Sequence, residues 1–151
     1  MIQSVQEQEI TLTSNIAPLT FSDTDLRTAS ANCQFGWLNH NEGSATFNIV
    51  AGGIYEINFN SNITSETAGA VSLGLFADGV LLQGSTMNET ITTPGDYHNI
   101  SITKYIRVCG RGNVTITIQS LPTVTYNGTT IDTQIPIIKN ANISIVRRTG
   151  A

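Results

Sequence analysis

Ala45-Thr46-Phe47-Asn48-Ile49-Val50-Ala51-Gly52-Gly53-Ile54-Tyr55-Glu56-Ile57-Asn58-Phe59 alternates apolar and polar side chains on either side of a glycine pair. A period of two places Tyr55, Ile57 and Phe59 on one face of a pleated strand and Glu56 and Asn58 on the other, as in a half-buried strand. Working outward, the same period returns in Asn99-Ile100-Ser101-Ile102-Thr103, in Val114-Thr115-Ile116-Thr117-Ile118-Gln119 and in Asn142-Ile143-Ser144-Ile145. Weaker strand signals cover 9–13, 34–38, 45–50 and 71–77. No stretch sustains the three-to-four spacing of an amphipathic helix.

The residues between these runs are those of tight turns. Asp78-Gly79 separates Leu73–Ala77 from Val80–Leu82, and Asn127-Gly128 separates Val124–Tyr126 from Thr129–Ile131. Both dipeptides accept the positive φ angles of a two-residue hairpin turn. Gly110-Arg111-Gly112-Asn113 divides the chain in the same way before Val114. Short strands joined by tight turns predict an antiparallel sandwich or barrel.

Composition narrows the function. The 151 residues are enough for one domain with a core, and only 12% of them are charged, against about 25% in an ordinary soluble domain. Thr, Ser and Asn must therefore cover most of the surface. A net charge of −4 excludes a nucleic-acid partner, because phosphate binding draws on clustered Lys and Arg. No apolar run reaches the about 18 residues of a membrane span. The segment from Met1 to Gln8 has no positive leader and no apolar stretch, so no secretion signal is expected.

Catalytic constellations are not found. His40 and His98 sit among polar neighbours and read as surface residues. Cys33 and Cys109 read as buried thiols, with one disulfide as the alternative. No Gly-x-Ser-x-Gly elbow occurs, and the glycines at 52–53 and 110–112 precede no helix that could cradle a phosphate. The chain is accordingly not expected to be an enzyme. Asp23-Thr24-Asp25 places two carboxylates at alternate positions of an expected loop, making Asp23 and Asp25 the candidate ligands of a calcium ion, but such acidic loops more often cap turns, and the favoured expectation is no cofactor. Six Asn-x-Ser/Thr triplets start at Asn62, Asn88, Asn99, Asn113, Asn127 and Asn142, and solvent-facing strand polarity accounts for them without glycosylation. Trp37, flanked by apolar residues, reads as core and not as a sugar platform.

Taken in order, the Gly53-Ile54-Tyr55 strand, the Val71–Ala77 strand with its Asp78-Gly79 turn, the Pro94-Gly95-Asp96 turn and the closing strand Asn142–Val146 resemble the complement globular-head and tumour-necrosis-factor-like jelly roll. The resemblance spans roughly residues 35–148. It implies an all-β antiparallel jelly-roll sandwich over residues 15–151, preceded by an N-terminal arm or first strand over 1–14, and it implies a homotrimer. Tyr55, Phe59, Tyr97 and Tyr105 are then candidates for the subunit interface, although an intrasubunit core position suits each equally well.

Low-charge, Asn/Thr-rich members of this kind resemble phage virion appendages, such as head fibres and decoration proteins, and the heads of spore-surface collagen-like glycoproteins. A chain that starts at Met1 without a collagen-like stalk favours the virion surface as its location, with a spore or cell surface as the alternative. The expected function is a structural or binding module that attaches to a capsid or tail protein through its N-terminal arm and meets a host surface glycan through its loops. A carbohydrate-binding sandwich, with Trp37 or Tyr126 as its platform, is the further alternative. Binding residues are expected in the loops 39–43, 85–88 and 123–130, with Asn39, His40, Asn41, Ser85, Asn88, Tyr126 and Asn127 as the candidates.

Overall fold

Each strong alternation is a strand in the computed structural model, which describes residues 1–27, 38–110 and 113–150. In chain order the strands are β1 (Ile2–Gln6), β2 (Ile10–Thr11), β3 (Asp23–Arg27), β4 (Leu38–Asn39), β5 (Phe47–Ile49), β6 (Gly53–Thr64), β7 (Gly69–Ala77), β8 (Val80–Leu81), β9 (Met87–Ile91), β10 (His98–Val108), β11 (Val114–Ser120), β12 (Thr123–Tyr126), β13 (Thr129–Asp132) and β14 (Ile137–Gly150). No helix occurs among the described residues. The expected strand at 34–38 lies outside them except for Leu38.

Two six-stranded antiparallel sheets face each other. The first has the order β10-β6-β14-β1-β3, with β2 also on β14; the second has the order β4-β5-β11-β7-β8, with β9 also on β7. Strands far apart in sequence are neighbours, as where Ile2 lies opposite Ile145 and Phe59 opposite Ile143. The β12–β13 hairpin forms a separate two-stranded ribbon, and its Val124 is buried. The turns adopt the conformation their residues predict: Asp78 and Gly79 have φ of 50° and 78°, and Asn127 and Gly128 have 49° and 80°.

The inward faces interdigitate around aromatic rings drawn from both sheets. Phe59 of β6, Phe47 of β5 and Phe21 from the β2–β3 connection are all buried, and Phe21 meets the other two edge-on at centroid distances of 6.4 and 5.3 Å. This is the favoured aromatic geometry. Tyr55 is also fully buried, its hydroxyl donating to the Ala51 carbonyl at 2.7 Å. Two of the four expected interface residues, Tyr55 and Phe59, are thus occupied inside the subunit, because the apolar phase of β6 points into the sandwich.

The start of the chain is not a free arm. Strand β1 bonds to β14 on one side and β3 on the other, and Ile2 is fully buried. Alternating Ile2, Ser4 and Gln6 face inward, so of the expected arm or first strand it is a strand, tied into the sheet, that these residues form.

Candidate functional site

The expected binding loops fall on three separate parts of the surface, and several of their residues turn out to be structural. His40, expected at the surface, is only 4% exposed. It continues the inward phase set by Leu38, and its ring stacks on Phe47 at 4.1 Å and 8°. Its Nε2 faces the Ser44 carbonyl at 2.9 Å, and since a carbonyl can only accept, Nε2 carries the hydrogen. Nδ1 then faces the hydroxyls of Thr24 at 3.0 Å and Ser4 at 3.4 Å. His40 therefore ties β1 and β3 to the turn before β5.

Above that histidine lies a depression of about 400 Å³, lined by Thr24, His40, Asn41 and Glu42. The Glu42 carboxylate accepts from the Thr24 backbone N–H at 3.2 Å. Asn39 and Asn41 are exposed on its flank. The structure thus brings the expected loop at 39–43 next to the acidic segment at 23–25, a proximity that no sequence spacing announced.

That acidic segment is strand, not loop. Asp23 opens β3 opposite Val5, and its carboxylate accepts from the Ser22 hydroxyl at 2.9 Å. The side chain of Asp25 lies outside the described residues. Among the described residues no three of His, Cys, Asp and Glu come together as a metal site would require. Cys109, expected buried, is an exposed thiol beyond the end of β10, because the apolar phase of that strand closes on Val108. Cys33 and Trp37 lie outside the described residues.

On the opposite edge, Ser85 is fully buried and not available for binding. Its hydroxyl donates to the Leu82 carbonyl at 2.7 Å and accepts from the Leu75 N–H at 3.2 Å, which staples the β8–β9 turn to β7. Asn88 is exposed but belongs to β9, and its Oδ1 accepts from the Ser72 hydroxyl. Asn88 helps line a polar depression of about 250 Å³ together with Glu89, Asn99 and Ser101. His98 borders it and faces the Glu89 carboxylate at 3.1 Å. On the third part of the surface, Tyr126 and Asn127 are exposed at the tip of the β12–β13 hairpin.

The outer face of the first sheet carries a cluster that sequence reasoning missed. Glu56 of β6 accepts from Asn58 Nδ2 at 2.8 Å, from the Tyr105 hydroxyl at 2.7 Å and from Arg148 Nε at 3.0 Å. These three bonds, that from Asn58 foremost, hold its carboxyl down at about 2. A carboxylate so satisfied cannot act as a base near neutral pH; it clamps β10, β6 and β14 together and holds the 59%-exposed Tyr105 ring at the edge of the sheet. The register that places Tyr105 opposite Glu56 was the missing signal. Tyr97 is engaged in a similar way: its hydroxyl donates to Glu9 Oε2 at 2.6 Å, and burial followed by that bond pushes it up to about 12.

The interleaved sandwich, its closing strand and the Gly53-x-Tyr55 strand define the chain as a jelly roll of the tumour-necrosis-factor and complement-head type. No protein-family profile matches the sequence, and no curated protein matches it. Solved structures do match it in fold. The globular domain of zebrafish complement 1qA protein superposes with a TM-score of 0.62 at 15% identity, covering 99% of this chain and 98% of that one. The Eiger tumour necrosis factor from S. frugiperda gives 0.59 at 8% identity, covering 99% and 94%. Murine APRIL at pH 8.0 gives 0.51 at 9% identity, covering 94% and 95%. At such identities the shared property is the fold.

Proposed function

We propose that this chain is a non-enzymatic, homotrimeric binding module displayed on the surface of a virion, as a capsid decoration, head fibre or tail-associated head. The observation that carries the binding-module part of this reading is the end-to-end likeness in fold to the complement head and Eiger domains, 99% of the chain being covered in each case, while the virion setting rests on the sparse charge and the abundance of Thr and Asn. The state of the titratable groups supports a binding role over a catalytic one. Glu56 is saturated, His40 is locked into the sandwich and His98 is paired with Glu89.

Trimerisation uses the β10 edge of the first sheet. There Tyr105 stands exposed on the outer face while Ile102 and Ile106, on the opposite face of the strand, are half-buried at the rim of the core, and an interface wrapped over this edge would remove apolar surface of both faces from water at about 25 cal/mol per Å². Contact with a host glycan uses the surfaces left outward, namely Asn39, Asn41 and Glu42 on one flank and Tyr126 and Asn127 on the hairpin. Hydroxyl, amide and carboxylate groups around a shallow depression suit a neutral sugar. Immunogold electron microscopy tests the setting: antibody against the chain should label the surface of purified virus particles. Label confined to spores or host envelopes would reassign the module to a spore or cell surface.

A further inference from the structure

Three arginines of this acidic chain gather at one end of the sandwich and several carboxylates at the other, although Glu56 and Asp78 lie toward the basic end and Lys139 toward the acidic one. Arg107 ends β10 opposite Ile54, and Arg147 and Arg148 lie near the end of β14, with Arg147 opposite Tyr55. At the other end, Glu7 and Glu9 follow β1, Glu66 follows β6, Asp96 precedes β10 and Asp132 ends β13. The 12 residues of β6 run from one end to the other, about 40 Å at the usual strand rise. That exceeds by several-fold a screening length of about 8 Å at physiological salt, so the acidic end does not neutralise the basic one.

The basic end also holds a cavity of about 410 Å³, lined in part by Ile54, Arg107, Val108, Cys109 and Thr149. This is within the range of small-molecule sites, about 300–1,000 Å³. Arg148 is committed to Glu56, and an Arg147 guanidinium nitrogen donates to the Gly52 carbonyl. Arg107 is exposed, and among the described residues no carboxylate pairs with it. Arg111, the next basic residue, lies outside the described residues.

We propose that this cavity binds a small organic anion, specifically a carboxylate-bearing sugar of the uronic acid type. Arg107 supplies the charge-assisted hydrogen bonds to the carboxylate. Ile54, opposite Arg107 on the outward face, offers an apolar wall to the C–H face of the ring, and Thr149 offers a hydroxyl. A long polyanion does not suit the site, because lying along the body it would meet the acidic end. The site is separate from the loop contacts proposed above, and its existence does not depend on them.

Glucuronate is the probe, titrated into isotopically labelled protein in its native assembly state while amide resonances are followed. Saturable shifts at Ile54, Val108, Cys109 and Thr149 are expected with glucuronate and not with glucose. Arg107→Gln should weaken the interaction at least tenfold with the remaining spectrum unchanged, and Glu9→Gln at the far end should leave it unaltered. Absence of saturable shifts, equal shifts with glucose, or unchanged affinity in Arg107→Gln would each overturn the proposal.

Discussion

At Gly53 the backbone has a φ of 150°, and a Cβ there would run into the Thr149 carbonyl and lie 2.8 Å from Arg147 Nε. The glycine lets β6 start tightly against the end of β14, and two residues later Tyr55 drops into the core. Gly53→Ala should therefore cost about 1–3 kcal/mol in chemical denaturation, through strain and clash together. Phe59→Ala, which opens a hole among three aromatic rings, should cost about 3–5 kcal/mol in the same assay. Glu56 gives a pH signature. Its folded value of about 2 lies below the ordinary 4.5, so its stabilising contribution is complete above pH 4.5 and is lost as pH falls toward 2. Melting temperature should fall more steeply across that window in the wild type than in Glu56→Gln; parallel curves would deny the clamp. Sequence alternation showed that Tyr55 and Phe59 share a face with Ile57, but a period of two does not say whether that face meets a subunit's own core or a partner. His40 was missed for a related reason: its polar neighbours Asn39 and Asn41 hid an inward phase that only Leu38 announced.

Strand β10 lies at the edge of its sheet with 11 residues, a length that invites pairing with another chain. Lys104 guards it. The residue falls between the half-buried Ile102 and Ile106, and its ammonium donates to the Gln83 carbonyl. In protein kept monomeric by Tyr105→Arg, adding Lys104→Val should leave the fold intact by circular dichroism but raise light scattering on concentration, as an unguarded edge accepts strands; unchanged scattering would show that Lys104 does not guard it. The strands and hairpins themselves were legible because β-branched alternation and the Asp-Gly and Asn-Gly turns act locally. Strand β1 was less so, since Ser4 and Gln6 fill inward positions where apolar residues were the signal sought. Their bonds to Thr24 and to the Ser22 N–H replace the water such groups would need.

For the whole molecule, the order of strong strands and turns was enough to suggest the jelly roll, because interleaved sheets require the first and last strands to meet near the centre of one sheet, as β1 and β14 do. The candidate site was far less legible. Asn41, Glu42 and Thr24 meet across 16 or more positions of chain, and Tyr105, Glu56 and Arg148 come from three strands, so neither cluster has a spacing to read. Surface charge followed the same rule: the division into a basic and an acidic end appears only when the ends of β10 and β14 are placed together. Assembly is the level on which the binding function rests, since one sandwich presents single copies of each surface and a trimer presents three. Absolute mass in solution, from light scattering coupled to size exclusion, tests it most directly. The account predicts a species of about three times the 16.2 kDa chain, lost in Tyr105→Arg, which crowds a second cation against Arg148 at the proposed interface. A wild-type mass equal to one chain across the accessible concentration range would contradict it.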